Sequence, residues 1–169
     1  MTDRYTCAIC GKQHQGLVTD WAYTLPDVVW AIQADKRSEA AQFNSDLCRF
    51  DERHFIRGVL YVPITTEAAR FGWGAWAEVD RATFERYLAI YDRDGSDEPV
   101  RTGALANELP PYPGSLGAPV VIAFHDPSTR PSFSLASSDT SRLALEQRAG
   151  IDTARHHEIL HIIGAPAVR

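Results

Sequence analysis

The sequence predicts an α+β fold, with a mainly antiparallel sheet, flanking helices and an N-terminal zinc-knuckle-like turn. Three observations predict it. Apolar residues alternate over several short segments, and the first two segments are joined by a connection suited to antiparallel pairing. Helical spacing with acidic caps marks helices between and after these strands. A Cys-x-x-Cys pair, Cys7 and Cys10, stands near the start of the chain.

Length and composition predict one folded domain. The chain has 169 residues, of which 44% are hydrophobic and 23% charged, close to the average of globular proteins. We expect a single domain over residues 1–169. Within it, a zinc-knuckle and helical segment over residues 1–50 packs on an α+β core over residues 51–169.

The charge balance bears on the class of partner. Asp and Glu number 22 against 17 Lys and Arg, which leaves a formal net charge of -5. A basic surface for a phosphate backbone is therefore not expected, and duplex nucleic acid is a poor candidate. The start of the chain lacks the pattern of a signal peptide, and no apolar run is long enough to span a membrane. We expect a cytoplasmic protein without membrane association.

The elements of the first half follow in chain order. Helix formers after Pro26, up to about residue 42, predict one or two short helices. Two strands follow over residues 54–65 and 71–79, because aromatic and β-branched residues alternate there. Asp80 is an acidic N-cap for a helix that carries one apolar stripe. The two strands are therefore expected to pair and to support that helix.

The second half adds shorter elements. Residues 101–109 form a weaker strand candidate that ends in a proline-rich run. The segment PVVIAFHD, residues 119–126, is strongly strand-like, and RPSFSLAS, residues 130–137, is its expected antiparallel neighbour. Asp139 caps one helix and Asp152 begins the last. Strands with inserted and appended helices are typical of an α+β protein.

The cysteines predict a zinc site. Cys7 and Cys10 have the spacing that lets two thiolates face one tetrahedral ion, and Gly11 lets the backbone turn back toward them. Two ligands do not hold a structural Zn²⁺, so the remaining pair must come from elsewhere. We predict Cys48 as the third ligand and His14 as the fourth.

Other interpretations of these residues stay open. His54 or Asp46 could replace a ligand, and a site without His14 would have an open position for catalysis. A thioredoxin-like redox pair would need a strand before the cysteines and a helix opening at them. A lone cysteine such as Cys48 also packs well as a small apolar residue.

The last helix carries the sequence His-Glu-x-x-His. His157 and His161 lie four residues apart, so a helix places both imidazoles on one face beside Glu158. This pattern is typical of zinc proteases, but Ala167 stands where an extended motif would place a third histidine. The alternative hypothesis is therefore a zinc-dependent hydrolase that uses this motif or the Cys/His site. We favour chance occurrence in a histidine-rich helix, because short motifs recur by chance.

An arginine in an apolar strand indicates a candidate ligand pocket. Arg57 lies in the middle of the first predicted strand, where an unpaired guanidinium is costly. It must meet a carboxylate, backbone carbonyls or an anionic ligand. The pocket could be lined by Arg57, Trp73, Trp76, Tyr112 and Arg130. Aromatic residues at strand spacing are nevertheless more often core residues.

Several motifs together are familiar: CAICGKQH, DLC at 46–48, HFIRGVLYVPI, FGWGAWAEV, LPPYPGSLG and SDTSRLALEQRAGI. On these the chain resembles, over nearly its whole length, the uncharacterised bacterial family called domain of unknown function 2199. The resemblance implies a small single-domain bacterial protein and no known activity. It also implies that Cys7, Cys10, His14 and Cys48 fall on the family's cysteine and histidine pattern.

The sequence as a whole favours a binding protein. We predict a cytoplasmic protein with a structural zinc site that acts as a protein-binding or regulatory module, of which an immunity-type protein that neutralises a toxin is one form. An acidic surface suits a basic protein partner. The alternatives are the zinc-dependent hydrolase and a small-ligand binder at Arg57.

Overall fold

The structure, a computed structural model, describes residues 18–164 together with the backbone of two short strands at residues 4–6 and 13–15. The strands are β1 (Arg4–Thr6), β2 (Gln13–Gln15), β3 (Asp20–Ala22), β4 (Ala41–Phe43), β5 (Leu47–Phe50), β6 (Arg53–Ile64), β7 (Ala69–Val79), β8 (Arg101–Leu105), β9 (Pro119–Ala123) and β10 (Ser132–Leu135). The helices are α1 (Asp27–Trp30), α2 (Arg37–Ala40), α3 (Arg81–Ala89), α4 (Arg142–Ala149) and α5 (Thr153–Ile162), with a 3-10 turn at Ala34–Lys36.

Five of the strands close into a barrel. Strand β6 pairs antiparallel with β7 along both strands, and β7, β8, β9 and β10 follow as antiparallel neighbours in chain order. Strand β10 then returns to β6 through a short parallel pairing, in which Phe133 faces Leu60. The predicted fold class, a mainly antiparallel sheet with flanking helices, is therefore wrong, because the sheet closes on itself.

Closure of the barrel depends on a close approach at Gly58. A Cβ atom at this position would lie 2.5 Å from the ring of Phe133 and 2.7 Å from the carbonyl oxygen of Pro131. Glycine is thus required where β10 meets β6. The pairing joins segments far apart in the chain, so no local pattern indicated it.

The N-terminal prediction also needs correction. A zinc-knuckle-like turn was expected there, whereas the described backbone forms a two-stranded antiparallel pair, with Thr6 opposite Gln13. The metal ligands predicted at Cys7 and Cys10 lie outside the described residues. No metal knuckle is evident in what the structure describes. Extended backbone is favoured beside β-branched and aromatic residues such as Tyr5 and Thr6.

The barrel interior holds the main core. Along β6 and β7 every second side chain points inward, as the alternation predicts. These inward residues are buried and include Ile56, Leu60, Val62, Phe71 and Trp73. Burial of large apolar side chains is the main stabilising contribution to such a core.

The outer face of the same two strands is divided into two parts. At one end Phe55 and Trp76 pack with Cys48 of β5 under Leu25 and Val29, which forms a second apolar cluster. At the other end none of the described helices lines the outer face of β6 and β7. That uncovered end, bordered by β3, is where a groove forms.

The longer helices have side-chain caps. Asp80 accepts a hydrogen bond from the Thr83 amide at the start of α3, and Asp152 does the same for Arg155 in α5, as predicted. Helix α4 is capped by Ser141 rather than by the predicted Asp139. Among the described helices, none combines the length and the apolar character that crossing a bilayer requires.

Candidate functional site

The uncovered outer face of β3, β6 and β7 forms a groove of about 550 Å³, here called the outer groove. Its floor is the backbone of β7 at Gly72 and Gly74. One wall is formed by Val59 and Tyr61 of β6. The opposite wall is β3, which pairs parallel to β7.

The two floor glycines allow both walls to come close. A Cβ at Gly72 would lie 3.1 Å from Val59 Cγ1 and 3.3 Å from Tyr61 Cε1. A Cβ at Gly74 would lie 2.9 Å from the Cβ of Ala22. Any larger residue would displace a wall or fill the floor. The outer groove therefore exists because this face of β7 has no side chains here.

Arg57 stands at one end of the outer groove without an ionic partner. Its Nη1 donates to the carbonyl oxygen of Ser45 at 3.3 Å, while its Nε is buried without a hydrogen-bond partner. Burial and the nearby Arg130 guanidinium lower the pKa of Arg57. Within the described residues no carboxylate lies at ion-pair distance from it. Of the three predicted outcomes, the contact with a backbone carbonyl is observed.

The neighbouring carboxylate, Asp46, is already engaged. Arg130 Nε donates to its Oδ1 at 2.7 Å, and the hydroxyls of Tyr91 and Ser45 donate to its Oδ2 at 2.7 and 2.8 Å. Burial would raise the pKa of Asp46, but these hydrogen bonds outweigh it and the pKa lies below its usual value. Asp46 is thus engaged directly by Arg130; it also favours the charge on Arg57 from a greater distance, but this does not outweigh burial and Arg130. Arg130 also separates the outer groove from a smaller cavity of about 290 Å³.

A second cation lies at the other end of the outer groove. The guanidinium of Arg70 stacks on the ring of Tyr61, with 3.6 Å from its Cζ to the ring centroid. Arg70 is exposed, and no ion pair is formed by it within the described part of the chain. Asp20 lies on the β3 wall. The outer groove therefore has an arginine at each end, with the Asp20 carboxylate on the wall across from the Arg70 end.

The predicted ligand pocket is only partly assembled. Arg57 and Arg130 both line the outer groove. Trp73 is fully buried inside the barrel, and Trp76 is fully buried in the second apolar cluster. Tyr112 is buried too, and its hydroxyl donates to Glu146. Trp73 and Trp76 are three residues apart on one strand, so they lie on opposite faces.

The predicted zinc ligands are only partly described. Cys7 and Cys10 lie outside the described residues, and of His14 only the backbone is described, opposite Tyr5. Cys48 is fully buried, and burial raises the pKa of its thiol to about 11. Within the range that the structure describes, no three His, Cys, Asp or Glu side chains are grouped so as to hold a metal ion. The zinc site stays a prediction.

The His-Glu-x-x-His motif lies in a separate cleft of about 530 Å³, here called the C-terminal cleft. His157 and His161 line it together, as the helical spacing predicts. Glu158 forms an ion pair with Arg155, with 3.0 Å between Glu158 Oε2 and Arg155 Nη1. The cleft provides no third metal ligand among the described residues. The motif therefore lacks both a complete ligand set and a free general base there.

The charges at the base of the C-terminal cleft are compensated. Glu146 accepts hydrogen bonds from Tyr112 at 2.6 Å, from Arg142 at 2.8 Å and from Arg155 at 2.9 Å. The Arg155 side chain is only 9% exposed and also contacts Glu158. Each buried charge here has a partner of opposite sign.

Sequence reasoning missed part of the outer groove. Tyr61, Arg70, Gly72 and Gly74 were not predicted as site residues. Alternation along β7 was the signal that could have found them, because Arg70 and the two glycines are at every second position and so lie on one face.

Fold and site together define a small β-barrel protein with a groove on its outer face that has an arginine at each end. The chain belongs to the family described as an uncharacterized protein conserved in bacteria (DUF2199), whose model matches residues 6–151. The resemblance read from the sequence motifs is thus confirmed. No curated protein and no solved structure matches the chain.

Proposed function

We propose that this protein is a binding module whose outer groove holds an anionic group of a protein partner. The observation that supports the proposal is the environment of Arg57. A partly buried guanidinium with no carboxylate at ion-pair distance among the described residues, and with Arg130 nearby, is unfavourable in the free protein, and the more distant Asp46 offsets this only in part. A bound anion removes this electrostatic cost. Relief of that cost then contributes to the free energy of binding.

The position of the outer groove supports a macromolecular partner. It lies on the outside of the barrel along the short strand β3 and is open to solvent, whereas small-molecule sites enclose most of their ligand. The described residues also contain no complete catalytic set. A regulatory role, including toxin neutralisation by an immunity-type protein, would act through such binding. The acidic net charge had suggested a basic partner, but the outer groove favours an acidic segment.

A direct test uses a labelled acidic peptide. Fluorescence anisotropy with fluorescein-labelled hexaglutamate should show binding, and labelled hexaserine should not bind. Arg57→Met should weaken binding by about tenfold or more, because it removes the unpaired cation. Arg81→Met is the matched control, since Arg81 lies on α3 outside the outer groove and is paired with Glu85. Equal binding by Arg57→Met and wild type would reject the proposal.

The zinc site is the second part of the proposal. We propose that Cys7, Cys10, His14 and Cys48 bind Zn²⁺ and stabilise the N-terminal segment. Pairing of β1 with β2 supports this, because Thr6 opposite Gln13 joins the two ends of residues 7–12, which carry both cysteines. The burial of Cys48 favours its thiol over the thiolate that zinc needs. Its membership is thus the part of the ligand set that most needs a test.

Elemental analysis of protein purified without a histidine tag tests the zinc site. One equivalent of zinc is expected in wild type, and Cys7→Ser should lose it and unfold at lower urea concentration, because metal binding stabilises the folded state. Cys48→Ala separates the two roles of Cys48. Zinc retained in that variant removes Cys48 from the ligand set, and zinc retained in Cys7→Ser contradicts the site as a whole.

A further inference from the structure

The outer groove has an arginine at each end, and strand β6 sets the backbone spacing between the two ends. Arg57 and Tyr61 are four residues apart on β6 and face the same side. At roughly 3.3 Å per residue, their Cα atoms are about 13 Å apart. Arg70 stacks on Tyr61 and places its guanidinium at that end. The unpaired charges of Arg57 and Arg70 therefore mark the two ends of the outer groove.

Among the described residues, few side chains lie between these ends. The floor consists of Gly72 and Gly74, and the wall between the two cations is the apolar side chain of Val59. An extended chain could lie over the glycines with its backbone close to that of β7. Arg130, the third cation, is engaged by Asp46 and adds no further unpaired charge.

We infer that the outer groove binds an extended acidic peptide segment whose two carboxylates are four residues apart. This inference rests on the proposed function and specifies its ligand. An extended peptide has the same rise per residue as β6, so side chains at i and i+4 lie on one face and roughly 13 Å apart. Each carboxylate can then meet one guanidinium, through paired hydrogen bonds.

The charge distribution favours a peptide over single-stranded nucleic acid. A nucleic acid strand needs a continuous positive track and exposed aromatic faces for its bases. Here the ring of Tyr61 is already covered by Arg70, and the Asp20 carboxylate on the β3 wall interrupts any continuous positive track. Two separate cations instead match two separate carboxylates.

Peptides of equal charge and different spacing test this inference. Serine-based peptides of one length carry two glutamates at i and i+2, i+3, i+4 or i+6, and their affinities are measured by calorimetry on the full chain. The i,i+4 peptide should bind about fivefold tighter than the others, because it alone reaches both cations from one face. Arg70→Gln should abolish this preference without abolishing binding. Arg81→Gln, the matched control, should retain the preference.

The outcomes separate this inference from the proposed function. Equal affinity for all spacings, or a preference that survives Arg70→Gln, overturns the two-carboxylate inference, even if binding still requires Arg57. Binding of every peptide that is indifferent to Arg57→Met, or no binding at all, rejects the proposed function as well. A thymidine oligonucleotide bound more tightly than any of the peptides would assign the outer groove to nucleic acid and overturn the inference.

Discussion

The outer groove and the C-terminal cleft are similar in size but differ in whether their arginines are paired with carboxylates. Their volumes are about 550 and 530 Å³, and each is lined by arginines. In the C-terminal cleft, Arg155 meets Glu146 and Glu158. In the outer groove, Arg57 meets a single carbonyl oxygen and no carboxylate among the described residues.

This difference shows that the electrostatic partners of a cleft, rather than its size or its motif, indicate what it does. The conspicuous motif of the sequence, His157 to His161, lies where the charges already satisfy one another. Such a network holds α4, α5 and the Tyr112 loop together. The outer groove keeps an unsatisfied charge, which in a stable protein points to a ligand.

The largest expected effect comes from breaking the C-terminal network. Arg155→Met should lower the free energy of unfolding by about 3 kcal/mol, because it leaves two carboxylates without their shared, buried partner. Urea unfolding measures it. Arg142→Met is the matched control: it contacts the same Glu146, but its side chain is 60% exposed, so a loss below about 1 kcal/mol is expected. Equal losses would contradict the comparison.

The same substitution in the outer groove should have the opposite sign. Arg57→Met should leave the free energy of unfolding unchanged or raise it by up to about 1 kcal/mol, because it removes a buried donor and a repulsion from Arg130. Peptide binding should weaken by about tenfold or more in the same variant. A fall in stability comparable to that of Arg155→Met would mean that Arg57 is structural.

A pH effect should distinguish the histidines of α5. Burial lowers the pKa of His156, whose Nε2 donates to the Val18 carbonyl oxygen at 2.7 Å, while its buried Nδ1 has no acceptor. The folded state therefore holds the ring neutral, and the adjacent His157 lowers the pKa further. Below about pH 6.5 the unfolded chain takes up a proton that the folded chain does not. The free energy of unfolding should therefore decrease as the pH is lowered through this range.

Urea unfolding at pH 7.5 and 5.5 checks this prediction. Wild type should lose more stability on acidification than His156→Gln, in which the neutral amide can still donate to Val18. His161→Gln is the control, because His161 is exposed on the same helix and its replacement should leave the wild-type loss intact. An identical loss in wild type and His156→Gln would show that another group titrates.

The smallest effect is expected at the motif itself. Glu158→Gln should change the free energy of unfolding by less than about 1 kcal/mol. The Glu158 side chain is 51% exposed, so water screens its ion pair with Arg155. Esterase and peptidase assays on generic substrates should be unchanged by this substitution. A hydrolytic activity present in wild type and absent from Glu158→Gln would show that the C-terminal cleft is a catalytic site, contrary to the comparison.

Local patterns predicted the long strands and the longer helices, whereas the short strands β1 to β5 were not predicted. The strand predicted over residues 54–65 is β6 and the one over 71–79 is β7, each shifted by only one or two residues. The N-caps Asp80 and Asp152 are confirmed. Strand alternation and helix capping act between neighbours in the chain, so the sequence displays them directly.

Closure of the barrel could not be predicted in this way. It depends on the meeting of Gly58 with Phe133, which are far apart in the chain and belong to different patterns. The same holds for Cys48, which looked like a free ligand and is enclosed by Phe55 and Trp76. Contacts of this kind arise only when distant segments pack. The sequence of a strand does not identify the strand with which it will pair.

The sequence by itself determined the two long strands, the longer helices, the family, and the fact that Arg57 would need a partner, because these follow from side-chain chemistry and local spacing. Only the tertiary structure decided which partner each charge finds. It brought Asp46 to Arg130 rather than to Arg57, and it gave Arg155 two carboxylates. Ionic pairing depends on distances of a few ångströms between remote segments, and the folded chain alone sets those distances.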